Sequence, residues 1–239
     1  MGFKKLNKII SIISLAENLK RELRHCWYED GRRESVAEHT WRMSLMAMLL
    51  APELEKPIDL ERVLKMIIVH DLIEAITGDI PAFDVNTPEK KAQKSADERA
   101  AMETIRKTLD STTGNDLFHL WEEYEKGSTY NARFAKAIDK LEANIQHNEA
   151  SIDSWTECDQ EWTFAIDDYC TIDPILETLC DHVRNTGVAK MIKAGIDVTK
   201  VAMRCGYQKP LTLFENLQET SNNDLADECL LDSEPEATA

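Results

Sequence analysis

The sequence is poor in glycine and proline, with 8 Gly and 7 Pro in 239 residues. This composition is typical of helices joined by short connections. No apolar run approaches the length of a membrane-spanning helix, so we expect no membrane partner. Basic residues are also few: 28 Lys and Arg against 44 Asp and Glu give a formal charge of −16. This charge argues against a nucleic-acid polymer as partner, but it allows a small phosphorylated substrate beside a bound cation.

Cysteine pairs with metal-binding or redox spacing are also missing. The six cysteines form no C-x-x-C motif, which predicts reduced thiols in a cytoplasmic protein. The apolar residues between 9 and 16 follow two lysines and loosely resemble a secretory signal. Asn7 and Lys8 interrupt that layout, and the apolar positions follow helical spacing, so we interpret the segment as an amphipathic helix.

Apolar spacing and cap signals together predict an all-α protein. Ser35 and Glu38 form a capping-box motif, Thr87-Pro88 is typical of a helix start, and Gly78 of a helix end. No alternation typical of a strand is found, and residues 24–34 are interpreted as a loop. The predicted helices cover about 3–23, 35–50, 60–76, 88–109, 115–126, 130–149 and 173–185.

The pattern changes twice along the chain. Residues 1–150 are regularly helical, whereas 151–214 are less regular and are predicted to form a helical extension packed on the first part. Residues 215–239 are acidic and contain no Lys or Arg, which predicts a disordered tail.

Polar side chains continue apolar stripes on three predicted helices. On the 60–76 helix, the stripe that contains Ile67 continues through His70, Asp71 and Glu74. Unpaired charges on a buried face would cost several kcal/mol each, roughly, so a cation is expected to compensate them.

Two other helices show the same anomaly. His39 shares a face with Val36 and Met43, and Asp139 borders a buried stripe beside Ile138. Two imidazoles and two carboxylates from three helices suit a divalent ion such as Mn, Fe, Co or Zn. A buried His–Asp hydrogen-bond network without a metal is the alternative that these patterns leave open.

The same residues carry a family resemblance. Glu38-His39, His70-Asp71 and Asp139 with the residues after it resemble the H…HD…D signature of the HD-domain phosphohydrolases. Residues 70–80, HDLIEAITGDI, are similar to the branch that contains the bacterial 5′-deoxynucleotidases and the eukaryotic HD-domain-containing protein 2 group. The resemblance covers roughly residues 20–150, and residues 151–239 match no family that we can name.

The resemblance implies an α-helical HD-domain bundle with one catalytic divalent ion, which could be Mn, Co, Fe, Mg or Zn. It implies phosphate release from (deoxy)nucleoside 5′-monophosphates by a metal-activated water. The implied ligands are four of the residues identified above: His39, His70, Asp71 and Asp139. Glu74 and Asp79 match the family's two acidic positions that are not ligands and that handle the attacking water and the substrate.

The loop before residue 35 departs from the bacterial members of that branch, which have an Arg-Trp pair there. This chain has Arg24 and Trp27 separated by two residues, as in the eukaryotic group. We expect Arg24 to contact the phosphate and Trp27 to shape the sugar pocket, and Arg33, next to Arg32, is a further candidate for the phosphate. Trp27 could instead cover the core, and a solvated arginine pair is the usual arrangement.

Other functions remain open at this point. A dinuclear HD enzyme needs further histidines between Asp71 and Asp139, where only His119 is found. Alarmone hydrolases usually carry Glu-Asp where this chain has Glu74-Ala75, and a triphosphohydrolase is a third alternative. A non-catalytic nucleotide sensor would not need the acidic residues beyond the ligands. The sequence leaves a homodimer open.

Overall fold

The computed structural model describes residues 2–208, which fold mainly into α-helices and one small β-hairpin. The hairpin pairs β1 (Leu23–Trp27) with β2 (Arg33–Ser35) in antiparallel orientation. The helices are α1 (Phe3–Ala16), α2 (Val36–Leu50), α3 (Leu60–His70), α4 (Glu74–Thr77), α5 (Pro88–Thr108), α6 (Ser111–Lys126), α7 (Tyr130–Glu149), α8 (Glu157–Trp162), α9 (Asp167–Cys170), α10 (Pro174–Lys193) and α11 (Val198–Arg204). The predicted all-α class is confirmed. No helix within residues 2–208 is long and apolar enough to cross a membrane.

The cap signals are found in the structure. Ser35 and Glu38 form a reciprocal capping box at the start of α2. The Thr87 side chain accepts a hydrogen bond from the backbone N–H of Lys90, and Pro88 is the first residue of α5. Gly78 ends α4 with a φ of 76°, a conformation that other residues rarely adopt.

Several predicted boundaries were wrong, including those of the helix predicted over 173–185, which runs from Pro174 to Lys193. The helix predicted over 3–23 ends at Ala16, and a 3₁₀ turn and β1 follow it. The predicted loop 24–34 contains most of the hairpin, whose turn includes Gly31 with a φ of 83°. The Arg33 guanidinium donates hydrogen bonds to the carbonyl groups of Leu23 and Arg24, so a side chain helps to join the short strands.

The predicted helix 60–76 is also interrupted, because α3 ends at His70 and α4 begins at Glu74. Asp71 has φ −99° and ψ 8°, outside the helical region. His70, Asp71 and Glu74 therefore do not lie on one continuous stripe, although the turn keeps them close in space.

Helix α7 lies at the centre of the fold and packs against α2, α3, α6 and α10. Its inward face buries Phe134, Ile138 and Leu141 completely. The surrounding core includes residues of α10, such as Leu176 and Cys180, so it continues past residue 150. Residues 151–208 also hold a smaller cluster around Trp155 and Met191. The predicted tail 215–239, like residues 209–214, lies outside the described residues.

Candidate metal centre and active-site cavity

The four residues predicted as ligands come together from three elements. His39 is on α2, His70 ends α3, Asp71 follows it, and Asp139 is on α7. His70 Nε2 lies 3.0 Å from Asp71 Oδ2, and His39 Nε2 lies 3.9 Å from the same oxygen. His39 Nε2 is also 3.3 Å from Asp139 Oδ1. His39, His70 and Asp71 thus place ligand atoms within 4.8 Å of one another, and Asp139 joins this group through its contact with His39.

The break after α3 orients both members of the His70-Asp71 pair. His70 Nδ1 donates a hydrogen bond to the Ile67 carbonyl oxygen at 2.6 Å, because a carbonyl can only accept. Nδ1 therefore carries the hydrogen, and Nε2 faces the centre. Asp71, one residue later, turns out of the helix and places Oδ2 against that nitrogen.

His39 is held by a residue outside the predicted set. Its Nδ1 donates to the completely buried Glu142, which also accepts a hydrogen bond from Arg42 Nε at 2.6 Å. Burial raises the pKa of Glu142, but His39 and Arg42 outweigh it and lower the pKa to about 2. An ionised carboxylate on Nδ1 leaves Nε2 directed at the centre, as in the carboxylate–histidine–metal arrangement of many metal sites.

Asp139 is oriented in the same way. Its Oδ2 accepts hydrogen bonds from the Tyr124 hydroxyl and from Lys140 Nζ, both at 2.8 Å, so Oδ1 is left to face His39. Burial raises the pKa of Asp139, but Lys140 and His39 lower it well below its usual range. The same holds for Asp71. Burial raises its pKa, but His70, His39 and Arg24 outweigh this effect and lower the pKa to about 2. Both carboxylates are ionised at neutral pH.

The centre has the polarity that a divalent cation requires. His39 Nε2, His70 Nε2 and Asp71 Oδ2 are buried without a hydrogen-bond partner, and they lie within 4.8 Å of one another. Such atoms cost free energy unless something binds them. Burial and Arg24 lower the pKa of His39, but Glu142 and Asp139 raise it to about 9, so this site attracts positive charge. The residues present therefore fit a divalent ion.

Evidence for a second ion is missing from residues 2–208. The other group able to hold a metal is Glu34, His39 and Glu142, which shares His39 with the first. His119, the one histidine between the HD pair and Asp139, is exposed on α6. Among the described residues, the two groups that could hold a metal therefore overlap at His39.

A cavity of about 490 Å³ opens beside the centre. It is lined by His70, Asp71 and Asp139, and also by Glu74 and Asp79, the two acidic residues predicted to act without binding the metal. Glu74 is buried, and its Oε2 has no hydrogen-bond partner. Burial, Asp71 and Asp79 raise the pKa of Glu74 to about 10, and burial also raises that of Asp79. A cation in the centre would lower both values.

Of the three residues predicted to bind substrate, only Arg24 lines this cavity. Its Nη1 lies 3.7 Å from Asp71 Oδ2, and its Nε lies 3.3 Å from the buried carboxylate of Glu34. The Arg33 guanidinium is bound to backbone carbonyls of β1, and the Trp27 ring packs against His25. The roles of Trp27 and Arg33 stay predictions, without a contact to the cavity.

Five neighbours of the centre were not predicted: Glu142, Arg42, Tyr124, Lys140 and Glu34. Glu142 had a signal in the sequence, because it falls on the buried stripe of α7 between Ile138 and Ile145. Glu34 had none, since it lies among mixed charges where no regular element was expected.

Comparisons of this chain with a family model and with known proteins point to the same family. The HD domain family model matches residues 16–172. The 5′-deoxynucleotidase HDDC2 of Danio rerio is 37% identical over 147 residues, which cover 60% of this chain and 70% of the relative. The Homo sapiens protein of the same name is 36% identical over 59% of this chain and 67% of its own length.

Solved structures agree with this match. The crystal structure of a predicted metal-dependent phosphohydrolase from Magnetospirillum magnetotacticum MS-1 superposes with a TM-score of 0.65 at 26% identity, over 78% of this chain and 97% of that one. A conserved hypothetical protein from Pyrococcus furiosus gives a TM-score of 0.53 at 32% identity, over 73% and 98%. With the motif residues, the fold and the family model in agreement, this chain belongs to the HD-domain family.

Proposed function

We propose that the chain is a metal-dependent phosphohydrolase that releases phosphate from (deoxy)nucleoside 5′-monophosphates. One observation carries the proposal: the buried, unpartnered atoms of His39, His70 and Asp71 lie together, and His70, Asp71 and Asp139 line a cavity of about 490 Å³. That volume is in the usual range for small-molecule sites.

The four converging residues would hold one divalent ion through His39 Nε2, His70 Nε2, Asp71 and Asp139. A divalent ion in such a site lowers the pKa of a coordinated water and polarises a phosphoryl oxygen. The mixed nitrogen and oxygen donors suit several first-row metals, so the donor set does not select one of them.

The charge of the cavity wall favours a monophosphate. Eight carboxylates but only four Lys or Arg side chains line the cavity. Three of those cations already form ion pairs: Lys94 with Glu98, Lys140 with Asp139, and Arg24 with Glu34 and Asp71. A triphosphate or an alarmone would bring more negative charge than one ion and Arg24 could balance. A single phosphate between the ion and Arg24 fits this balance.

Glu74 and Asp79 would serve the attacking water and the substrate. Glu74 is three residues beyond Asp71, is buried, and has an unpartnered carboxyl oxygen at the cavity wall. A carboxylate in this position can orient a water and take its proton. Asp79 accompanies it at the wall, and its backbone N–H donates to Glu22, which fixes the turn after Gly78. We assign proton handling to Glu74 and substrate positioning to Asp79.

The names of the relatives support this substrate class. Proteins named 5′-deoxynucleotidase are similar to this chain in vertebrates and in yeasts, including hdd1 of Schizosaccharomyces pombe at 35% identity. The four ligand positions do not themselves distinguish the sugar or the base.

Phosphate release tests the proposal directly. The purified protein would be assayed with nucleoside monophosphates, deoxynucleoside monophosphates, a deoxynucleoside triphosphate and guanosine tetraphosphate, each with Mn, Co, Mg and Zn. We expect orthophosphate and nucleoside from monophosphates, no release by Asp71→Asn, and normal release by His119→Ala, whose exposed imidazole is outside the centre. Monophosphate binding without release would favour a sensor, and cleavage of the polyphosphates alone would refute the assignment.

A further inference from the structure

The cavity extends away from the metal centre along α7. Asp139, Ala143 and His147 all line it, and they are spaced by four residues on one face of the helix. Eight residues of α-helix rise by about 12 Å. Ala143 lies between the two polar ends and leaves room above the helix. A ligand whose phosphate lies at the metal centre, near Asp139, would therefore extend along α7 toward His147.

The far end of the cavity is built by His25, Phe83, His147 and Asp159, all of which line it. Asp159 connects them: its Oδ2 is 3.3 Å from His25 Nε2, and its Oδ1 is 3.7 Å from His147 Nε2. The His25 and Phe83 rings meet edge to face with centroids 4.7 Å apart. Aromatic rings beside a carboxylate form a site for a flat ligand with hydrogen-bond donors.

The two oxygens of Asp159 are not equivalent. Oδ2 accepts hydrogen bonds from the backbone N–H and the hydroxyl of Thr156, at 2.7 and 2.8 Å, in the capping box of α8. Among residues 2–208, no hydrogen bond reaches Oδ1, although the residue is only 4% exposed. His147 Nε2 is 3.7 Å from Oδ1, beyond hydrogen-bond distance, and is paired instead with the Cys26 thiol. Asp159 Oδ1 is therefore an acceptor without a donor at the end of the cavity.

We propose that this far end is a nucleobase subsite that prefers an exocyclic amino group at pyrimidine C4 or purine C6. This inference rests on the proposed function and adds a preference for the base of the nucleotide substrate. An amino group would donate to Asp159 Oδ1 while the base packs against His25 and Phe83. A carbonyl oxygen at the same position would face the carboxylate, where two acceptors repel each other. Through α8, the region after residue 150 would select the substrate.

Two pairs of substrates test this contact in the unmodified protein. dCMP and dUMP differ on the ring at C4 and N3, and dAMP and dIMP differ correspondingly at C6 and N1. We expect kcat/KM to favour the amino member of each pair by about 10-fold or more, the effect of one hydrogen bond to a charged group in a buried site. If the kcat/KM values of the two members agree within twofold in both pairs, the proposed subsite is refuted.

A variant then changes the acceptor into a donor. In Asp159→Asn, the amide oxygen keeps both Thr156 hydrogen bonds, and the NH₂ takes the position of Oδ1. We expect the dCMP/dUMP ratio to fall by about 10-fold or more. The matched control is Glu157→Gln on the same helix, whose side chain is 80% exposed and pairs with Arg204. If the dCMP/dUMP ratio of Asp159→Asn equals that of the control, Asp159 is not the acceptor for the amino group.

A substrate without a base separates this inference from the function on which it rests. Deoxyribose 5-phosphate should be hydrolysed at the same rate by Asp159→Asn and by the unmodified protein, because it does not reach the far end. If no monophosphate releases phosphate, the proposed function fails and the subsite with it. If monophosphates are hydrolysed without preference in either pair, only the subsite fails.

Discussion

Glu142→Gln tests whether the Glu142 carboxylate orients the His39 imidazole for metal binding. Glu142 is completely buried, accepts the hydrogen of His39 Nδ1, and forms an ion pair with Arg42. Glutamine has nearly the same shape, so the packing of α2 on α7 should survive. The change removes the negative charge that holds the imidazole with Nε2 toward the centre.

The expected effect is a loss of metal affinity of about 10- to 100-fold, the usual result when the carboxylate behind a ligating histidine is removed. This corresponds to about 1.4 to 2.7 kcal/mol of binding free energy. Arg42 keeps hydrogen bonds to Glu149 and Gln146, so the fold should lose little of its stability.

The assay is a competition titration of Co or Mn against a chromogenic chelator, with the melting temperature recorded on the same sample. Glu149→Gln is the matched control, because Glu149 also pairs with Arg42 but is 55% exposed and has no contact with His39. Unchanged affinity in Glu142→Gln, or an equal loss in the control, would refute the proposed role of Glu142.

Three further predictions concern the cavity wall. Glu74→Ala should keep the ion but lower turnover by about two to four orders of magnitude, the scale of a positioned acid–base group; near-normal turnover would show that Glu74 has no part in proton transfer. Asp71→Ala should lose metal and phosphate release together, and metal analysis showing a retained ion would contradict this. Arg24→Lys should raise KM about 10-fold because the planar guanidinium is lost, whereas Arg33→Lys should leave KM within threefold; equal effects would contradict the assignment of Arg24.

Local signals in the sequence predicted much of the fold. Helix starts that depend on nearby side chains, such as Ser35 with Glu38 and Thr87 with Pro88, were predicted within a residue or two. The bounds of α7 were predicted as 130–149 and are found there. These features depend on residues close in sequence, where capping and apolar spacing are sufficient.

The break after α3 could not be predicted in this way. Neither glycine nor proline interrupts residues 60–76, and the apolar spacing continues through them. In the structure the His70 side chain bonds back to the Ile67 carbonyl, and Asp71 turns toward His39 on α2. The turn thus depends on residues that are distant in sequence, and its effect is to bring Asp71 into the centre.

The convergence of the predicted ligands followed from polar residues on apolar faces, but their supporting contacts did not. Glu142 lies 103 residues from His39 in the sequence. The hairpin was missed for a similar reason, since its short strands depend on Arg33 and on packing of β1 against α7. The far end of the cavity joins His25 to Asp159, 134 residues away, which only the folded chain brings together.

Phosphate release as a function of metal occupancy shows directly whether the bound ion is required for catalysis. The protein would be stripped of metal, reloaded with increasing Co or Mn, and assayed on dCMP and dAMP with bound metal quantified in each sample. We expect phosphate release to be absent at zero occupancy, to rise in proportion to bound ion, and to reach its maximum at one ion per chain. Full activity without metal, or a maximum that requires two ions per chain, would contradict this expectation.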